Sequence, residues 1–166
     1  MTWIGIIGEE FIGPYFFEVN ITGRLYAGFL RRIALPRLRE VNPDAWWQQD
    51  GSPVHGSRKS RANLNSLFPN RWIGRGGPIP WPAKSPDLTV CDYGLWADLK
   101  RRVHKRGPPA NVEELTRFIE KECRQYPRES IRRATSSMKR RMTLCLRENG
   151  GHYQQFLKTR RERDKN

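Results

Sequence analysis

The apolar residues of the first hundred positions change period repeatedly, and this alternation constrains the fold more than any other feature. Trp3-Ile4-Gly5-Ile6-Ile7 and the run from Ile12 to Val19, with Tyr15-Phe16-Phe17, flank a turn at Gly8-Glu9-Glu10 and read as a hairpin. Pro14 has no N–H, so its strand belongs at an edge. Leu25, Phe29 and Ile33 then share one face, with Tyr26 and Leu30 beside them. The spacing predicts an amphipathic helix over 22–35, capped by Asn20 or Thr22 and kinked or ended by Pro36. Residues 45–49 read as a short strand that delivers Asp50, 56–68 as a helix and 71–74 as another short strand. The Gly- and Pro-rich stretch 74–86 is an irregular loop. Helical spacing resumes from Leu88 to His104.

Beyond Gly107-Pro108-Pro109 only the helical period is left. Asn111 and Glu114 form a capping pair for a helix with Leu115, Phe118, Ile119 and Cys123 on its apolar face, ended by Pro127. A further helix over about 129–147 carries Ile131, Ala134, Met138, Met142 and Cys145 on one side, and Gly150-Gly151 closes it. The pattern is α/β, followed by a helical, basic extension.

Charge divides along the chain. Residues 1–99 hold 11 Lys+Arg and 9 Asp+Glu, whereas 100–166 hold 20 and 8. The basic clusters are Lys100-Arg101-Arg102, Lys105-Arg106, Lys139-Arg140-Arg141 and Arg160-Arg161. Concentrated positive charge attracts phosphate backbones by releasing condensed counterions, so nucleic acid is the expected partner. An acidic protein or an anionic surface is the alternative on charge alone. Arg71 and Arg75 flank the irregular loop and are further candidates for phosphate contact. No run approaches a membrane span, and the N-terminal residues do not read as a secretory signal. Cys91, Cys123 and Cys145 are too few and too widely spaced for a disulfide framework or a zinc site, so they are expected to be reduced, intracellular thiols.

Acidic residues are scarce before position 100. Asp50 follows a hydrophobic strand and precedes Gly51-Ser52-Pro53, where α/β folds place reactive groups. Asp92 shares a helix face with Trp96 and Leu99, where a carboxylate is costly unless it is paired or binds a cation. Helix capping by Asp50 or Asp87, and a favourable helix-dipole position for Asp92, are the ordinary alternatives. His55, just beyond the Asp50 turn, reads as a plain loop histidine, the alternative being an approach to a metal. Among the tryptophans, Trp3, Trp47, Trp72 and Trp96 are expected in the core, and Trp46 and Trp81 are expected to be more exposed.

Three stretches carry a resemblance: Trp47-Gln48-Gln49-Asp50-Gly51-Ser52-Pro53-Val54-His55, Phe68 to Pro78, and Trp81-Pro82-Ala83-Lys84-Ser85-Pro86-Asp87-Leu88-Thr89-Val90-Cys91-Asp92-Tyr93-Gly94-Leu95-Trp96. They resemble the catalytic domain of mariner-like transposases, over about residues 3–156. The resemblance implies a ribonuclease-H-like mixed sheet and nuclear DNA cleavage and strand transfer by three carboxylates with Mg2+ or Mn2+. Two hard cations would activate the attacking oxygen and stabilise the leaving one. Asp50 matches the second catalytic, metal-binding carboxylate and Asp92 the third, with 41 residues between them. Asp87 matches the turn that precedes the third.

In the family the first carboxylate lies on the first strand, at a distance that would fall before Met1. The expectation is therefore a truncated catalytic domain lacking its first central strand: residues 1–106 from the catalytic domain, 107–157 its C-terminal helices, and 158–166 a charged, disordered tail. Each buried backbone group left without a partner costs about 1–3 kcal/mol. The neighbouring strands should then close together, leave an open edge, or fold only in part. The functional expectation is an inactive, DNA-binding remnant. The alternatives are a non-enzymatic module that binds DNA, or pairs with a full-length transposase or itself through an open sheet edge, and a metal-dependent nuclease with a substitute third acid.

Overall fold

The computed structural model describes residues 1–157; the expected tail from Lys158 lies outside the described residues. The hairpin forms from β1 (Thr2–Ile7) and β2 (Glu10–Phe16), antiparallel, with an irregularity in register between Trp3 and Gly5. Gly8, at φ +56°, supplies the left-handed turn between them. Next come α1 (Gly23–Phe29), a π-helical segment at Leu30–Ala34 and α2 (Leu35–Val41). Thr22 rather than Asn20 caps α1, its Oγ1 accepting the Leu25 N–H at 3.2 Å.

Of the two outcomes expected for Pro36, a kink or an end, it does not end the helical run. The π turn bonds Leu35 N–H to the Leu30 carbonyl, and Pro36 falls in the first turn of α2, where a missing N–H costs least. Strand β3 (Trp47–Gln48) leads into the Asp50 turn, and α3 (Arg58–Leu67) follows, capped by Ser57. Strand β4 (Trp72–Ile73) pairs parallel to β3. The helix expected from Leu88 begins instead at Cys91, because Leu88 and Thr89 are held in a turn whose N–H groups bond Ser85 and Pro86 carbonyls. Residues Cys91–Trp96 are π-helical and continue as α4 (Ala97–His104).

Helix α5 (Val112–Arg124) starts at the expected cap. Asn111 Oδ1 accepts the Glu114 N–H at 2.8 Å, while Glu114 Oε2 reaches back to the Ala110 N–H at 2.7 Å. Helix α6 (Arg128–Arg147) follows Pro127 and closes at Gly150, whose N–H bonds the Cys145 carbonyl with φ +83°.

A single mixed sheet is not formed. The described strands make two separate two-stranded sheets, β1–β2 and β3–β4. Strands β1 and β3 meet through side chains instead: the Trp3 and Trp47 rings stack 6.3 Å apart and 5° from parallel.

The hairpin divides two cores by the period-two alternation of its side chains. Trp3, Ile7 and Ile12 face a cluster built on Tyr26, Phe29, Leu30, Leu35, Leu64 and Trp72. Ile4, Ile6 and Phe11 face a second cluster with Leu95, Leu99, Val103, Tyr126 and Ile131. Fully buried Leu30, Leu35 and Leu64 each contribute about 1.5–3 kcal/mol by leaving water. Helices α1–α3 thus cover one side of the hairpin, and the helical segment 91–104 with α5 and α6 covers the other. Helix α6 is further tied to the hairpin turn by ion pairs of Arg128 with Glu10 (3.3 Å) and Arg132 with Glu9 (3.8 Å).

Candidate active site

The Asp50 turn is fixed from below by Gln49. Strand β3 is anchored to β4 through Trp47 N–H to Arg71 O and Gln49 N–H to Ile73 O. Alternation then turns the Gln49 side chain inward, where it is 5% exposed. A buried amide must be satisfied. Its Oε1 accepts from the Tyr26 hydroxyl and Trp47 Nε1, each at 3.2 Å, and its Nε2 donates to the His55 carbonyl at 3.0 Å. The amide therefore closes the turn over 50–55. Neither Gln49 nor Tyr26 was singled out from sequence as a positioning residue. A polar residue at an inward strand position beside Trp47 was the available signal.

Asp50 itself is half-exposed. Its Oδ1 accepts the Ser52 N–H at 2.9 Å and stands 2.5 Å from His55 Nδ1. His55 packs its ring against Tyr26, with centroids 4.6 Å apart. The histidine is therefore more than the plain loop residue expected from sequence. The His55 contact is the main influence on the Asp50 carboxyl; with the Ser52 N–H it outweighs burial and holds the group below the ordinary carboxylate range.

Asp92 approaches from the other core, on the first turn of the π-helical segment, with its N–H on the Thr89 carbonyl at 2.9 Å. Its carboxyl is shifted up, first by burial and then by the negative charge of Asp50. The charge of Asp50 thus disfavours ionisation of Asp92. The two acids line one open pocket of about 600 Å3, together with Ser52, Arg75, Trp81 and Lys84. Trp81 Nε1 is buried there without a partner. A second cavity of about 330 Å3 adjoins it, bounded by residues of β1, β3 and the π segment, and it too includes Asp50, His55 and Asp92. Burial raises the neighbouring Cys91 thiol to about 12, which leaves it protonated and inert at neutral pH.

The other sequence candidates scatter. Asp87 contributes its backbone: its carbonyl accepts from Arg141 Nη1 (2.9 Å) and from the Tyr153 hydroxyl (3.0 Å). Arg71 lies 3.6 Å from Asp44 and over the Phe68 ring, whereas Arg75 is exposed at the pocket rim. Arg101 and Arg102 pair with Asp98, and Arg106 pairs with Glu122 at 2.6 Å. Arg140 donates to the Phe156 carbonyl, and Arg141 stacks 3.8 Å over Tyr93. Lys100, Lys105 and Lys139 are exposed, and among the described residues none of them is in an ion pair. Trp46 is 51% exposed, as expected, and Trp47 and Trp72 are buried. Among the described residues no three His, Cys, Asp or Glu side chains gather as a metal-holding group, and no helix is long and apolar enough to cross a membrane.

No protein-family model matches the sequence, and no curated protein matches it significantly. Solved structures do match. The Mos1 transposase catalytic domain with raltegravir and Mn superimposes with a TM-score of 0.76 and 19% identity, over 90% of this chain and 75% of that one. The crystal structure of the catalytic domain of Mos1 mariner transposase gives 0.72, 19%, 90% and 74%. The Mos1 paired-end complex with the left transposon end gives 0.67 and 21%, over 87% of this chain but 40% of that one. The protein thus has the α/β fold of the Mos1 mariner transposase catalytic domain, the domain type that its stretches around Asp50 and Asp92 resemble.

Proposed function

We propose that the chain is a transposase-like, DNA-binding domain whose described residues offer an incomplete metal site and do not cut DNA unaided. The observation that carries this reading is the convergence of Asp50 and Asp92, from opposite sides of the hairpin, on one basic-rimmed pocket. Structures of the Mos1 catalytic domain have been solved with Mn and with Mg, and Mos1 complexes with transposon-end DNA share the fold.

The donor set fits one hard cation. Asp92 is partly buried and feels the charge of Asp50, and a divalent ion between such acids would relieve both costs. Magnesium accepts one or two carboxylates and completes its shell with water. A pair of ions a few ångströms apart needs further bridging oxygen, which these two aspartates do not supply among the described residues. When bound, such an ion would polarise a phosphodiester oxygen. The chain's own contribution is to orient Asp50 through His55 and Ser52, and to present Arg75 and Lys84 to the phosphate.

Supercoiled-plasmid nicking with Mg2+ and with Mn2+ tests the reading, alongside DNA binding across a salt series. We expect binding that weakens steeply with salt, no nicking, and a Mn2+-dependent rise in Tm that Asp50→Ala removes. Metal-dependent nicking abolished by Asp50→Ala would overturn the assignment of inactivity. Binding indifferent to salt would overturn direct contact with DNA.

A further inference from the structure

We infer that a second phosphate-backbone surface lies on the face away from α4–α6, in the groove between α1 with its π-helical continuation and α3. The inference rests on the DNA-binding reading above and adds a surface that the charge clusters of the sequence do not indicate. The groove is about 770 Å3 and is lined by Arg24, Arg31, Arg32 and Lys59, with Thr22 and Asn63 among its polar walls. No acid lines it. All four cations are exposed, and among the described residues none is in an ion pair.

This concentration is local. Residues 1–99 carry 11 basic and 9 acidic residues, so the half-chain looks neutral in sequence. Folding separates the signs. Glu9 and Glu10 face α6, Glu40 pairs with Arg37, Asp44 with Arg71 and Asp98 with α4 arginines, Asp50 and Asp92 line the other pocket, and Asp87 lies beside Arg141; exposed Glu18 precedes Val19 at the groove's edge without lining the groove. Four cations outside any ion pair among the described residues are left around one groove, where their charges repel one another.

The geometry matches a polyanion rather than a single small anion. Positions 24, 28, 31 and 32 lie on one helical face, and Gly28 leaves room for the Arg32 guanidinium, whose nitrogen is 3.0 Å from where a side chain would begin. Arg24 and Arg32 are separated by about 12 Å along the axis. One DNA strand advances about 3.4 Å per phosphate along the duplex axis while also winding around it, so a row of cations of that length meets several phosphates rather than one. Lys59 approaches from α3 on the opposite wall. One end of the groove adjoins the Gly23–Ser57 contact, where the Ser57 hydroxyl donates to the Gly23 carbonyl two residues beyond His55.

The test is the salt dependence of duplex binding for the full chain and for Arg24→Gln/Arg31→Gln/Arg32→Gln/Lys59→Gln. Each lost phosphate contact removes about 0.9 from the slope of log K against log salt, so the quadruple variant should lose about 2 to 4. A charge-keeping Arg24→Lys/Arg31→Lys/Arg32→Lys variant should retain the slope, and DNA should protect Lys59 of the unaltered protein from acetylation. An unchanged slope in the quadruple variant, with a reduced one in Lys100→Gln/Lys105→Gln/Lys139→Gln, would overturn the groove while sparing the wider reading. A flat slope in the unaltered protein would remove both. Loss of binding to phosphatidylserine vesicles, with DNA binding intact, would assign the groove to membranes and overturn the proposal.

Discussion

His55 Nδ1 and Asp50 Oδ1, five positions apart in sequence, are 2.5 Å apart across a turn, and this contact is the largest influence on the acidity of Asp50. His55→Ala should let the Asp50 pKa rise toward the ordinary carboxylate value, read by carboxyl NMR titration. A folded pKa below the unfolded one adds stability that is present above the usual carboxylate range and lost as pH falls through the folded value. The variant should therefore show a shallower acid-side loss. Asp50 is half-exposed and solvent-screened, so the stability cost at neutral pH should stay under about 1 kcal/mol. An unmoved Asp50 titration would refute the coupling.

Asp92 has the opposite sign. Its carboxyl is raised by burial and by Asp50, so the charged form opposes folding as pH rises through its folded value. Asp92→Asn should stabilise the protein at neutral pH by about 0.5–1 kcal/mol, with no gain below pH 3. Urea melts at both pH values measure it. A destabilised Asn variant at neutral pH would contradict the repulsion.

Arg141 is a brace. It stacks 3.8 Å over Tyr93 and donates to the Asp87 carbonyl, which Tyr153 also holds. Arg141→Ala should cost about 1–3 kcal/mol, and Arg141→Lys should rescue little, because an ammonium cannot present the same planar face. The salt slope of DNA binding should change less than in Lys139→Ala. A stable Arg141→Ala variant with a reduced slope would reverse that assignment.

Gly94 is the point where the π-helical segment touches α6. A Cβ there would lie 2.8 Å from Ala134 Cβ. Gly94→Val should destabilise by about 1–3 kcal/mol, and Ala134→Gly should recover part of it in a double-mutant cycle. Strict additivity of the two changes would place the strain elsewhere.

Asp98 sits among Arg102, Tyr126 and Arg101. Burial pushes its carboxyl up, and bonds from those three outweigh it, bringing it down to about 2. That stability is present above pH 4 and lost between about pH 4 and 2. Asp98→Asn should lower neutral stability by about 1–2 kcal/mol and flatten the acid limb of the pH profile. An acid limb identical to that of the unaltered protein would refute it.

Much of this was legible wherever local chemistry decides. The hairpin, the Asn111 cap, the Pro127 boundary and the exposure of Trp46 follow from spacing and from what proline and asparagine do to a backbone. The π turns were not legible. Pro36 reads as a stop unless the preceding turn is already known to be wide. Nor were the fates of Arg102, Arg106 and Arg141, since sequence shows a cation but not the acid, ring or carbonyl that folding brings beside it. His55 and Gln49 belong to the same class: each is set by a contact made only after the turn closes. The two-part sheet was missed because strand pairing depends on which edges meet.

Each aspartate is moored in a different core, with the hairpin as the party wall between them. The first strand of that wall bounds a cavity that both acids line. Trimming Ile4 or Ile6, which line the cavity both acids share, would act like planing a doorframe: both jambs stay sound while the opening changes.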